Sequence, residues 1–233
     1  MSLSGLCQSA ELIVTESQKQ VLLSYLRALM KMNSKLNLTR IVEPSEAVRL
    51  HIIDSLLCLP EVLAAPAGSL CDVGTGGGLP GVPLCVVSGR RGTLLDSVGK
   101  KARAVEEILR GLGLDATISA LPERSEAHAL THRGRYAVVT ARAVSSLPAL
   151  VEMAAPLLSD GGVLVALKGS PSAGEVLRGS EAAMLVGLRQ FSVRTLRLPG
   201  GGEIRTVIAY QRSGKAKLNL PRRPGQAHSA PLA

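Results

Sequence analysis

The chain has 233 residues, 46% of them hydrophobic, which suits one α/β domain with a packed core plus a small extension and argues against disorder. Its 27 Lys and Arg against 18 Asp and Glu leave a formal charge of +9, which favours a polyanionic partner. Aromatic residues are few (Tyr25, Tyr136, Phe191, Tyr210 and no Trp), so a nucleic-acid face of stacked rings is not expected; four Cys without a CxxC pair or a His cluster argue against zinc.

Thr15-Glu16-Ser17-Gln18 has the form of a capping box, and Val21, Leu22, Tyr25, Leu26, Leu29 and Met30 recur at helical spacing, so a helix is predicted to about Ser34. Asn33 and Asn37 break it. Pro44 and Ser45 open a second predicted helix over 45–58, ended by Pro60. Residues 1–65 therefore read as a helical extension without strands.

From Ser69 the texture changes. Apolar runs at 69–73, 93–96, 115–120, 136–140, 162–168, 191–198 and 203–211 predict strands. Helices are predicted at 80–88, 99–111, 123–130, 147–157 and 173–187. Strands alternating with helices mean a mostly parallel sheet. The last two strands have only Leu198-Pro199-Gly200-Gly201-Gly202 between them, so the final strand should run antiparallel. That is the layout of class I S-adenosylmethionine-dependent methyltransferases, a Rossmann-like sheet with a reversed last strand. Residues 66–212 form this domain, and 213–233 a basic tail rich in Pro and Gly that is expected to be extended. After Glu203 there is no acidic residue, while Arg205, Arg212, Lys215, Lys217, Arg222 and Arg223 follow, a one-signed run suited to phosphate.

The stretch Asp72-Val73-Gly74-Thr75-Gly76-Gly77-Gly78-Leu79-Pro80-Gly81 lies where the first strand hands over to a helix. Glycines there let backbone approach a ligand at the carboxyl edge of the sheet, and Asp72 either fixes the loop or reaches the ligand's amino group. Asp96 ends the next strand about twenty residues on, where a carboxylate accepts from both hydroxyls of a ribose. Gly76 to Gly81 also fits G-x-G-x-x-G, so an NAD-dependent enzyme competes with a methyltransferase. The spacing Asp-x-Gly-x-Gly-x-Gly directly after the strand favours S-adenosylmethionine as cofactor.

Several motifs in fixed order carry a closer likeness: Asn37-Leu38-Thr39, His51-Ile52-Ile53-Asp54-Ser55, Asp72 through Pro83, Leu95-Asp96-Ser97 with Gly99-Lys100-Lys101, Ala141-Arg142-Ala143, Ala166-Leu167-Lys168-Gly169, and Pro221-Arg222-Arg223-Pro224-Gly225. Through nearly its whole length the chain resembles the 16S ribosomal RNA guanine-N7 methyltransferases, also called glucose-inhibited division protein B. The resemblance implies methyl transfer to one guanine of the 530 loop (position 527), giving 7-methylguanosine. It further implies that Gly74 and Leu79 line the cofactor pocket, that Ser125 and Glu126 flank the adenine, and that Arg142 stands between cofactor and substrate. The sequence departs from the family at Met32, where Trp is common, and at Pro122-Glu123 before Arg124.

The nitrogen at the 7-position of guanine has an in-plane lone pair and no proton, so the reaction needs positioning rather than a general base. Arg142 is the residue expected to place guanine, unless its guanidinium serves an ion pair. His51, Asp54 and Ser55 either rim the pocket or pack the second helix. Lys168, at the end of the fifth strand, either meets RNA phosphate or snorkels. Lys100, Lys101, Arg222 and Arg223, with Arg90, Arg91 and Arg103, are the candidate RNA backbone contacts. The partner is then 16S rRNA or the small subunit, with no membrane and no metal, and the protein is expected to be a cytoplasmic monomer. A non-catalytic RNA-binding assembly factor on the same fold is the other alternative.

Overall fold

Thr15 does cap the first long helix: its hydroxyl accepts from the Gln18 amide at 3.3 Å, and the Gln18 side chain accepts from the Thr15 amide at 2.9 Å. The computed structural model describes residues 2–39, 41 and 43–233. A short helix α1 (Leu3–Ser9) precedes α2 (Glu16–Leu36), which Asn37 ends in a left-handed turn. The segment predicted as one helix over 45–58 is broken into α3 (Pro44–Ala47), a π-helical turn (Val48–Ile53) and α4 (Asp54–Leu56). Pro60 does not stop a helix; it sits in the first turn of α5 (Leu59–Ala64), where its missing N–H costs nothing.

The sheet follows: β1 (Leu70–Val73), α6 (Gly81–Ser88), β2 (Gly92–Leu95), α7 (Gly99–Gly111), β3 (Ile118–Leu121), α8 (Ser125–Thr131), β4 (Tyr136–Arg142), α9 (Leu147–Ala154), β5 (Leu158–Lys168), α10 (Ala173–Leu185), β6 (Leu188–Arg197) and β7 (Ile204–Arg212). The strand order is β3-β2-β1-β4-β5-β7-β6. The first five strands are parallel, and β7 lies antiparallel between β5 and β6, as the loop at 198–202 requires. Register pairs Val73 with Leu95 and Ala141, and Leu95 with Leu121, so these carboxyl ends share one edge.

Side chains alternate between two cores, as strand geometry demands. Leu70, Leu94, Val138, Val163, Val165 and Val207 face the helical extension together with α6 and α7. Cys71, Val73, Leu95, Val139, Leu164 and Ile208 face α9 and α10. The residues before 65 thus cover one face of the sheet. Ion pairs tie them to the terminal hairpin: Arg49 to Glu203 at 2.5 Å and Arg194 to Glu61 at 2.6 Å. All four cysteines are buried and unpaired, and burial pushes the Cys58 and Cys71 thiols up.

The basic tail is not an extended arm. Leu220 is buried in the second core, and the chain ends in a short helix α11 (Gln226–Ser229). No helix among the described residues is long and apolar enough to cross a membrane.

Candidate active site

The glycine loop leaves β1 at the shared carboxyl edge. Asp72, at the end of that strand, is fully buried and shows no surface to solvent. Its Oδ2 accepts from the Gly81 amide at 3.0 Å and its Oδ1 from the Thr140 hydroxyl at 2.7 Å. Asp72 thus ties the far end of the loop at Gly81 and the neighbouring strand β4 to β1. Burial pushes its carboxyl up to about 6, against these hydrogen bonds.

The loop is braced from its other side by the helical extension. The Tyr25 hydroxyl donates to the Gly77 carbonyl at 2.8 Å. Gly78 has φ +78°, and a Cβ there would overlap the Tyr25 hydroxyl. Gly74 has φ +68°, and a Cβ would meet Val144 at 2.6 Å. Glycine is thus required twice, once by each neighbour. Leu79, expected to line a pocket, turns its side chain into the first core.

Asp96 lies across from the loop, 7% exposed. Its Oδ2 accepts from the Gly76 amide and its Oδ1 from the Val98 amide, both at 2.8 Å. An ionised carboxylate has about four acceptor positions, so two remain for a pair of hydroxyls. A Cβ at Gly76 would meet nothing within 4 Å, so open space lies above this backbone. Beside it runs a cleft of about 190 Å³ lined by Val73, Gly74, Leu95, Ser97, Ser125 and Glu126, with Met153 and Val144. Apolar walls with a polar rim suit a planar heterocycle joined to a sugar. Ser125 donates to Glu126 Oε2 at 3.0 Å, and Glu126 Oε1 accepts from the Gly225 amide at 2.8 Å.

After β4 the chain makes a left-handed turn at Ala143, φ +54°, unusual for a residue with a Cβ. Val144 and Ser145 then line the first cleft, while Arg142 and Ala143 line a second, of about 540 Å³, with Thr39, His51, Asp54, Lys168 and Arg205. Arg142 Nη1 donates to Asp54 Oδ2 at 2.8 Å and to the Leu50 carbonyl at 3.1 Å. Arg205 Nε donates to Asp54 Oδ1 at 2.6 Å. The ion pair held open as an alternative for Arg142 is therefore present, inside the cleft.

His51 lies on the π turn Val48–Ile53 and Asp54 directly after it, and both line this cleft. His51 Nε2 lies 3.0 Å from the Thr39 hydroxyl, and burial followed by the Arg142 charge lowers its pKa to about 4, so the ring is neutral at pH 7. Ser55 is fully buried and bonds back to the His51 carbonyl at 2.5 Å, a helix-internal contact away from the rim. Lys168 donates to the Ser145 carbonyl at 2.8 Å and pairs with Glu175 at 2.9 Å. It anchors the wall between the clefts.

The other cations separate. Lys100 is exposed and Lys101 half-buried at the start of α7, on the same edge as Asp96. Arg223 is exposed, but Arg222 is engaged with buried Glu152, Nε to Oε1 at 2.6 Å. Arg90 lies at the opposite edge, its guanidinium donating to the carbonyls of Val62, Ala65, Pro66 and Gly68. Sequence reasoning missed Arg205, Thr39, Gly225 and His228 at these clefts. Thr39 and Gly225 lay inside motifs that mark the family, whereas Arg205 stood out only as part of the basic run after Glu203 and not as a partner of Asp54.

A family model described as rRNA small subunit methyltransferase G matches residues 18–201. The chain is 35% identical over 224 residues to a ribosomal RNA small subunit methyltransferase G of Pelotomaculum thermopropionicum, covering 95% of this chain and 93% of that one. It is 39% identical over 222 residues to the protein of the same name from Deinococcus radiodurans, covering 93% and 85%. Among solved structures it is similar to geranyl diphosphate C-methyltransferase from Streptomyces coelicolor A3(2), with TM-score 0.57 and 18% identity over 72% of this chain and 78% of that one, which bears on the fold.

Proposed function

The chain belongs to the rRNA small subunit methyltransferase G family, and from that premise we propose how its two clefts divide the work of methylating 16S rRNA. The first cleft takes S-adenosylmethionine; the second takes guanine 527 of the 530 loop, presented with its 7-position nitrogen towards the dividing turn at Ala143. Family membership removes the NAD-dependent reading, and an enzyme family removes the purely non-catalytic one.

S-adenosylmethionine, held in the first cleft, would supply a methyl group activated by its sulfonium, with the sulfur as a neutral thioether leaving group. The residues of this chain bind and align. Asp96 accepts from the ribose hydroxyls with its two remaining acceptor positions. Ser125 and Glu126 meet the adenine edge. Gly74 and Gly76 keep side chains out of the path. No proton leaves the attacking nitrogen, so a site without an acid–base pair is complete, and rate comes from holding the two centres close and in line.

Arg142 directs donors to the oxygen beside the attacking nitrogen. Among the described residues only its Nη1 is engaged, which leaves Nε and Nη2 for the base. The purine acquires positive charge as the bond forms, and Asp54 stands in the same cleft as the nearest carboxylate to offset the two arginines. Lys100, Lys101 and Arg223 meet the RNA backbone, and the protein acts as a cytoplasmic monomer.

The observation that carries this reading is the turn at Ala143, which sends Val144 and Ser145 into the cleft beside Asp96 and leaves Arg142 and Ala143 in the other. The test is transfer of labelled methyl from S-adenosylmethionine to small-subunit RNA, with the modified base mapped. Label at the 7-position of guanine 527 is expected, as is a raised melting temperature with S-adenosylhomocysteine but not with NAD. Label elsewhere, or none, defeats the proposal.

A further inference from the structure

The C-terminal residues supply part of the wall of the first cleft, and neither the fold nor the glycine loop requires them to. Gly225 and His228 line that cleft together with Ser125, Glu126 and Ser145. The segment is held in two ways. At its root, Leu220 is buried, its carbonyl accepts from Arg133, and Arg222 forms a forked pair with Glu152, which is 3% exposed on α9. At its tip Ala227 is buried and the Ala230 carbonyl accepts from Arg222 at 2.8 Å, while two single bonds face the cleft. The Gly225 amide donates to Glu126 Oε1 at 2.8 Å, and the exposed His228 has Nδ1 at 3.0 Å from the Ser145 hydroxyl. Gly225 has φ +81°, so the strap bends where it meets Glu126.

We propose that residues 220–230 are a strap belonging to the cofactor site, with Gly225 and His228 as positioning residues that hold the adenosyl cleft shut and set the rate of cofactor exchange. This rests on reading the first cleft as the adenosyl site. Two relationships support it. The tip bonds the residue assigned to the adenine edge, Glu126, so closure fixes the orientation of that carboxylate. It also bonds Ser145, whose carbonyl accepts from Lys168, so closure reaches the wall between the two clefts.

The proposal is tested on the full chain by hydrogen exchange with and without S-adenosylhomocysteine, and by chasing labelled S-adenosylmethionine off the protein. Saturation should slow exchange of the Gly225–Ser229 amides by about tenfold or more, alongside the Gly74–Gly78 loop. Arg222→Gln should speed cofactor dissociation by about tenfold, because it frees the root. Removing Arg222 leaves Glu152 buried and unpaired, so His228→Ala, at an exposed position, serves as the second variant, with release about threefold faster. Protection of the glycine loop with an unchanged strap, or release from His228→Ala at the wild-type rate, overturns the strap and leaves the cofactor reading standing. Protection of neither segment overturns both.

Discussion

Arg142 and Asp54, 88 residues apart in sequence, meet at 2.8 Å on the floor of the second cleft. Because Arg205 holds the other carboxylate oxygen at 2.6 Å, removing Arg142 does not strand a buried charge. Arg142→Ala should therefore fold, while kcat/KM for small-subunit RNA falls by roughly 10- to 100-fold, the worth of one or two charged hydrogen bonds at the base. Arg142→Lys should recover little, since a point charge cannot reproduce the planar fork. Near-wild-type transfer by Arg142→Ala would remove the residue from the reaction.

Asp96 has two duties, and they separate experimentally. It holds the Gly76 and Val98 amides, and the proposed function gives it the ribose hydroxyls as well. Asp96→Ala should weaken S-adenosylhomocysteine by about 10- to 100-fold in calorimetry. Asp96→Asn keeps one acceptor oxygen and should fall between. If the melting temperature drops while affinity stays, Asp96 serves the loop alone.

Asp72 predicts a pH effect of unusual sign. Its folded carboxyl titrates at about 6 against an ordinary 3.8, so between these values the native state binds more protons than the unfolded chain. Its contribution is then most favourable at low pH and is lost as pH rises from about 4 to about 6, by up to about 3 kcal/mol. His51 works the other way: its pKa falls to about 4, so its contribution is lost as pH drops from about 6.5 to about 4. The two oppose each other in the wild type. Urea unfolding of Asp72→Asn across this window isolates the first, because the difference from wild type should change in the variant's favour with rising pH and level off above about 6. A pH-independent difference would mean that Asp72 is not held as described.

The sheet was legible because its signals are local and redundant. Apolar runs of four to nine residues recur, most of them between helical repeats, and the glycine run at 200–202 forces a reversal that no crossover helix could provide. The glycine loop and Asp96 were legible by their distance from predicted strand ends. What was not legible depended on tertiary partners. A π turn leaves no spacing signature different from an α-helix, so 45–58 read as one element. Ser55 stayed open between the rim and the helix interior because only its bond to the His51 carbonyl turns it inward. Arg205 reaches Asp54 only because β7 runs back beside β5. The tail looked extended because Pro and Gly predict no element, yet Leu220 and Arg222 find partners on the domain.

The brace between the helical extension and the glycine loop gives a double-variant test. Gly78→Ala should cost about 2–4 kcal/mol, combining a left-handed φ with overlap on the Tyr25 hydroxyl. For a chain of this size that is on the order of 5–10 °C in melting temperature. Tyr25→Phe removes the overlapping oxygen and the bond to the Gly77 carbonyl. Gly78→Ala with Tyr25→Phe should therefore be less destabilised than the sum of the two, with the backbone strain remaining. Strict additivity would show that the hydroxyl does not crowd this position.

Adjacent arginines in the tail should behave as opposites. Arg223 is exposed and has no ion-pair partner among the described residues, whereas Arg222 is bound to Glu152. If the tail and the start of α7 track phosphates, Arg223→Ala and Lys100→Ala should each weaken RNA binding across sequences and lower the slope of log affinity against log salt by about 0.7 to 0.9. Their melting temperatures should stay within about 1 °C of wild type, as surface changes do. Arg222→Ala should do the reverse, lowering thermal stability by leaving a buried carboxylate alone while the salt slope holds. Filter binding over a salt series, beside melting curves, separates the two classes. A reduced slope for Arg222→Ala with unchanged stability would place that guanidinium on RNA and dissolve the anchoring role that its contact with Glu152 implies.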